Sequence, residues 1–225
     1  MANYKIGNID PVPKPDKGAG VWNSESTTWE MRAKWEAIYQ IIPHAYLLIG
    51  DDATHHMLHY LGNTGKDLTI DLEGLIEDVV GERKVFENEL TIARKYVESL
   101  NVGTHQITSD KVTSGPYITK SESWNWFFAV GGYSIWGKGT ATVSKDAAGQ
   151  KACDMDFEYK FFDRYNWDGG KSVEIFGITI TDEFMGRFHR EGLAREFNMN
   201  GSIKRNVKWT GATTATPTIT KPGGR

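Results

Sequence analysis

Three groups of residues in this 225-residue chain have the types and spacing for chemistry. The first is His55-His56-Met57-Leu58-His59. On a helix, His55 and His59 share a face, as two metal-ligating histidines must. A zinc-hydrolase helix needs a glutamate where His56 stands, to activate the water. No third ligand follows nearby, so a polar helix face with Met57, Leu58 and Leu61 turned inward is the simpler reading. The second group runs from Phe161 to Lys171 and gathers Asp163, Arg164, Tyr165, Asn166 and Asp168 behind an aromatic strand. Asp163 and Asp168 could hold a hard cation such as Mg²⁺ through carboxylate oxygens. Asp163 or Tyr165 could serve as general acid or base where burial tunes the group. Asn166 to Gly170 is equally good turn chemistry, with Asn and Asp bonding local backbone. The third group is His189-Arg190. An arginine can fork two phosphate oxygens while a histidine moves a proton. The alternative is a solvated helix end whose cations suit the C-terminal dipole.

The elements that must position these groups change character midway. Residues 27–42 predict a helix on Trp29, Ala33, Ala37 and Ile41, with Ile38 and Ile42 beside them, and Pro43 ends it. A short helix is expected from Asp51-Asp52 to Leu61, closed by Gly62, and another over Leu72 to Val79. The clearest helix is 82–100, with Phe86, Leu90, Ala93 and Val97 on one face and Gly103 after its end. Beyond residue 104 the period becomes two. Trp124 to Val130, Thr140 to Val143, Met155 to Phe162, Ser172 to Ile180 and Ile203 to Trp209 predict strands, with a hairpin turn at Asp146–Gln150. Thr181 caps a short helix that Gly192 ends. The expected fold is α+β: an N-terminal helical half packed on a C-terminal antiparallel, aromatic-rich sheet or partly open barrel. No Pro/Gly/Ser-rich linker divides residues 26–210, so they predict a single unit, helical over 26–103 and mainly strands over 104–210. Residues 1–25, with Pro11, Pro13 and Pro15, predict a flexible or surface-laid arm, and 211–225 a tail. Residues 1–20 of this arm are expected to be dispensable for folding and to serve in docking.

Composition narrows the classes. Net charge is −3 without long like-charge runs, so the basic stripe of a nucleic-acid binder is missing. Aromatics make up 12% of the chain and include eight Trp, enough for a core and a recognition face. The one cysteine, Cys153, forms no intramolecular disulfide and sits in a predicted strand as core. The N-terminus lacks an apolar signal region and no run suits a transmembrane helix. The expected history is synthesis in the cytoplasm, with any target outside the cell reached by a route other than general secretion.

The run Trp124 to Tyr133, then Gly139 to Val143, then the strand reaching Asp163-Arg-Tyr165-Asn-Trp-Asp168, resembles colicin-M-like bacteriocin activity domains. Thr181 to Gly201, with His189-Arg190, resembles C-terminal segments of polymorphic bacterial toxins and effectors. The resemblance implies an antibacterial toxin: a metal-dependent phosphodiesterase acting on a lipid-linked cell-wall precursor. That family carries Asp-x-Tyr-Asp followed soon by His-Arg. Asp163 and Tyr165 match. Asn166 stands at the second Asp, with Asp168 two residues on, and His189-Arg190 comes later than the motif places it. The implied catalytic set is Asp163, Tyr165, Asp168, His189 and Arg190, with Asp163 and Asp168 on Mg²⁺. The expected partners are the lipid-linked envelope substrate, an immunity protein and, since no Sec-export segment is visible, a component of a contractile injection apparatus. Two other classes compete. One is a membrane-disrupting toxin using 27–42 and 82–100, although their mixed charge suits core packing better. The other is a structural or cargo module docked through the arm.

Overall fold

The computed structural model describes residues 2–15, 17–113, 117–167, 170, 172–175 and 178–222. Residues 114–116, Asp168, Gly169, Lys171 and Gly177 lie outside them. In chain order the elements are β1 (Tyr4–Ile6), α1 (Trp29–Ile41), α2 (Tyr46–Ile49), α3 (Asp51–Leu61), β2 (Leu68–Thr69), α4 (Leu72–Asp78) and α5 (Val80–Ser99). There follow β3 (Gly103–Ser109), α6 (Trp124–Ala129), β4 (Ser134–Lys145), β5 (Lys151–Tyr165), β6 (Ser172–Ile175), β7 (Ile178–Thr181), α7 (Asp182–Arg190), β8 (Phe197–Thr210) and β9 (Thr218–Thr220). The fold is α+β.

Local chemistry explains most helix starts. The Thr28, Asp71, Ser123 and Thr181 side chains each accept a backbone N–H in the first turn of the helix that follows. On α5, Phe86, Leu90, Ala93 and Val97 are buried at steps of four, three and four, which keeps one stripe on the core. On α1 the stripe differs from the expected one. Met31 and Ile38 are buried, with Trp35 packed against the core, while Trp29 is 83% exposed and Ala33 and Ala37 face solvent. A strict four-residue step advances about 40° past each turn, so a run of such steps drifts off the face that alternating steps hold.

Residues 124–130 correct a larger expectation. Trp124–Ala129 form α6, not a strand, and Val130 caps its end. Ser123 Oγ accepts the Trp126 N–H at 3.2 Å, and Trp126 Nε1 donates to Asp78 Oδ2 at 2.9 Å. Trp126 and Ala129, three apart, are the buried pair. Trp124 stacks near Phe128 with ring centroids 5.5 Å apart, an i,i+4 contact only a helix makes. Aromatic alternation over six residues mimicked a strand because α6 is amphipathic over less than two turns.

The sheet runs β1-β3-β4-β5-β8-β2, with β9 also on β8. It is open, not closed into a barrel. Every pair is antiparallel except β2 with β8. β2 takes Met199 and Asn200 of β8, and β9 takes Asn206 to Lys208, so the two share one edge of that strand. β1 comes from the arm and β2 from the helical half, and they occupy opposite ends of the sheet order, which interleaves them with the C-terminal strands. β6 and β7 form a separate hairpin. Along β5, Cys153, Met155, Phe157, Tyr159, Phe161, Asp163 and Tyr165 alternate onto the buried face. Cys153 is core, and burial pushes its thiol up, away from the thiolate a nucleophile needs.

Both chain ends are laid on this body. The arm contributes β1, and its Asp10 pairs with Lys138 at 2.8 Å and Lys160 at 2.7 Å. Farther on, Ala19 N–H reaches Glu196 at 2.8 Å, and the Asn23 and Glu25 N–H groups bond the carbonyls of His189 and Arg190. The tail adds β9, and Ala215 O accepts from Arg94 at 2.7 Å. Deleting residues 2–25 is therefore expected to lower stability by about 3–5 kcal/mol, since it unpairs an edge strand and strips partners from buried polar groups. That corresponds to a fall in Tm of roughly 10 °C. Differential scanning calorimetry checks it, and an unchanged Tm would show that the arm's contacts add nothing.

Candidate functional site

β5 ends where the predicted chemistry begins. Alternation carries Asp163 and Tyr165 to the same buried face as Phe161. Asp163 Oδ2 accepts the Gly131 N–H at 3.0 Å and Oδ1 accepts the Arg164 N–H at 2.7 Å, tying the strand end to the chain after α6. The Tyr165 ring stacks on Phe197 at 5.1 Å and meets Trp167 edge-on at 5.7 Å. Burial, and then the carboxylate of Asp182, push its hydroxyl well above the usual phenol range. Tyr165 is thus held as a neutral hydroxyl.

A cleft of about 270 Å³ opens at this strand end. Lys120, Phe128, Arg164, Tyr165, Trp167 and Asp182 are among its lining residues. One wall is aromatic. The Lys120 ammonium lies 5.1 to 5.4 Å from the ring centroids of Trp124, Phe127 and Phe128. Two buried donors of the lining, Arg164 Nε–H and Trp167 Nε1–H, have no acceptor among the described residues. The cleft therefore offers a ligand apolar surface, a cation and unmet N–H groups together.

His56 is the histidine that reaches this neighbourhood. It is buried, its Nδ1–H donates to Ala129 O at 2.8 Å, and its ring lies edge-on to Tyr165 at 6.0 Å. Burial pulls its pKa down, so the ring stays neutral near pH 7. His59 instead bonds Lys66 O at 2.8 Å and packs on Phe197, while His55 is exposed. Among the described residues no three His, Cys, Asp or Glu side chains converge as a metal cluster.

His189 and Arg190 engage a different set of partners. Glu196 N–H donates to His189 Nδ1 at 3.1 Å, which leaves the ring proton on Nε2 to donate to Gly20 O at 3.2 Å. Burial lowers the pKa of His189. Arg190 pairs with Glu25 at 2.8 Å and Glu183 at 2.6 Å, and also donates to Ala19 O. The link between these residues and the cleft is Glu196, buried in the turn before β8. Its carboxylate accepts from Ala19 N–H at 2.8 Å, Trp167 N–H at 3.0 Å and Arg164 Nη2 at 3.3 Å, and lies 3.8 Å from His189 Nε2. Tyr165 lines the cleft and Asp163 lies buried beside it, bonded to Gly131 of the lining but not itself a lining residue; His189 and Arg190 come together beneath the arm, and Asp168 lies outside the described residues.

Comparison with solved proteins gives one distant similarity. PaeM, a colicin M-like bacteriocin produced by Pseudomonas aeruginosa, aligns with a TM-score of 0.38 and 19% identity. The alignment covers 72% of this chain and 53% of PaeM, so the chain spans about half of that protein's length. No residue's role is carried over from it. No family model matches the sequence, and a search of curated proteins returned no significant match.

His56, Asp182, Lys120 and Glu196 were missed as site residues in the sequence. His56 stood in view only as the wrong residue for a zinc motif. Asp182 carries a weak signal, an acid just after a helix cap. Lys120 and Glu196 carry none, because their partners lie far away in the chain.

Proposed function

We propose that the chain is an antibacterial toxin whose cleft at the end of β5 binds and cleaves an anionic amphiphile of the phosphodiester class. The observation that carries this is the pair of buried donors, Arg164 Nε–H and Trp167 Nε1–H, without an acceptor among the described residues, in a lining that also holds Lys120 and an aromatic wall. Phosphate oxygens suit those donors, and an apolar chain suits the rings. The sequence resemblance of Asp163-x-Tyr165 to colicin-M-like activity domains supports the choice of reaction. In this reading Lys120 and the Nε–H of Arg164, whose Nη2 pairs with Glu196, face the phosphate, while Arg190 holds two other carboxylates. Asp163 is the proton acceptor, and neutral Tyr165 donates a hydrogen bond.

The Asp163 carboxylate accepts the Gly131 and Arg164 N–H groups, and carboxylate oxygen is the ligand type a hard cation takes. Asp163 with Asp168 would hold Mg²⁺, which would neutralise charge on the phosphate. A lipid-linked envelope substrate, an immunity protein and delivery by an injection apparatus belong to the same reading.

The test pairs Asp163→Asn with Tyr165→Phe in protein directed to the periplasm of a sensitive bacterium. Loss of an acid–base group is expected to lower killing by about 100-fold or more, with the circular dichroism spectrum unchanged. Full killing by both folded variants would overturn the enzymatic reading and leave Asn166–Gly170 as a turn only.

A further inference from the structure

The lip of the cleft has a composition its interior does not explain. α2 and α6 pack beside each other, and Asn125 of α6 accepts the Ala53 N–H of the adjoining α3 at 3.1 Å. On this surface Tyr46, Leu47, Leu48 and Trp124 are between 48% and 78% exposed. Tyr117, 49% exposed, adjoins it through its ring contact with Phe127 at 6.4 Å. Three successive large apolar residues of a four-residue helix facing water is unusual for a monomer surface. The patch is continuous with the cleft, because Phe127, Phe128 and Lys120 belong to both.

We infer that the α2–α6 surface seats the protein on a phospholipid bilayer, with the cleft opening at headgroup level. The inference rests on reading the cleft as an amphiphile site. Its chemistry matches the membrane–water boundary. Leu47 and Leu48 supply aliphatic groups for the acyl region, and Tyr46, Tyr117 and Trp124 are the side-chain types that settle at the interface. The Lys120 ammonium, held among aromatic rings, complements the lipid phosphate. An amphiphile could then enter the cleft by its headgroup while its tail stayed in apolar surroundings along Phe127 and Phe128. Among the described residues no helix is long and apolar enough to cross a membrane, so the contact is one of lying on the bilayer.

The experiment is cosedimentation with vesicles of phosphatidylethanolamine and phosphatidylglycerol. The wild-type chain is expected to sediment with them. The double variant L47D/W124D, folded by circular dichroism, is expected to show at least a tenfold lower bound fraction, while Asp163→Asn binds like wild type. Equal binding by wild type and the double variant would overturn the inference. So would a wild-type dimer, seen by light scattering, that the double variant dissociates, because a second copy would then cover the patch. Vesicle binding together with a fully toxic Asp163→Asn would sink the cleft chemistry and leave the membrane seat standing. Absent vesicle binding with an inactive Asp163→Asn would do the reverse.

Discussion

Replacing Glu196 with alanine is expected to lower the unfolding free energy by about 3–5 kcal/mol, the usual loss when one partner of a buried charged network is removed. The carboxylate is fully buried and satisfies the N–H groups of Ala19 and Trp167 as well as the guanidinium of Arg164. Alanine leaves both N–H groups without an acceptor and Arg164 without its anion. Each unmet buried donor costs about 1–3 kcal/mol. Glu196→Gln should recover part of the loss, since its carbonyl oxygen still accepts while the charge for Arg164 is gone. Urea unfolding of the three proteins gives the order wild type, Gln, Ala. An alanine variant as stable as wild type would show that the arm and the cleft wall are held by other contacts. The same substitution should loosen the Trp167 side of the cleft.

The second large effect is expected at Glu82. This residue lies on the sheet-facing side of α5, where it accepts the hydroxyls of Tyr159, at 2.7 Å, and of Tyr133. One helical stripe along, Glu89 accepts from Tyr4 at 2.7 Å. Removing the carboxylate in Glu82→Ala strands two hydroxyls and opens a cavity, for a loss of about 3–5 kcal/mol. Glu82→Gln keeps acceptor and donor in place and should cost far less. It also isolates a pH effect. Burial raises the folded-state pKa of Glu82, outweighing the tyrosine hydrogen bonds that favour the carboxylate. The folded protein therefore holds this proton more tightly than the unfolded chain. The resulting stability is fully present below the unfolded carboxylate pKa of about 4.3 and is lost as pH rises through the raised folded value. The wild-type minus Gln difference should decline with rising pH across that window. His56 and His189 act with the opposite sign: burial lowers their pKa values, so their stability is present above the unfolded value and lost as pH falls through the folded one. Both histidines are common to wild type and Glu82→Gln, so they cancel in the difference. A flat difference curve would mean that Glu82 is ionised in the folded state as readily as in the unfolded one.

Much of the architecture was legible from local signals. α3, α4, α5 and α7 were expected close to their observed bounds, because a cap side chain or a terminal glycine acts within one turn and a stripe of apolar residues repeats over several. The Asp146–Gln150 turn was legible for the same reason: Asp146 accepts the N–H groups of Ala148 and Gln150 from within the turn itself. Alternation along Met155 to Phe162 marked β5 and correctly put Asp163 and Tyr165 on one face. The α+β class follows from these elements alone.

Tertiary structure decided whatever depends on partners distant in the chain. Residues 124–130 satisfy both a strand pattern and a short helix, and burial of Trp126 against Asp78 goes with the helix. Which stripe of α1 faces inward was set by the surface it meets, so Met31 and Ile38 are buried and Trp29 is not. Proline spacing near the N-terminus marked extended chain, but what that chain lies on follows from Asp10, Glu25 and Glu196 finding partners more than a hundred residues away. The site divides the same way. Asp163 and Tyr165 were visible because strand alternation is local. Glu196 carries no local motif and His56 and Asp182 only weak ones, and each gains its meaning from a neighbour, Tyr165 or Arg164, that only the packed fold brings beside it.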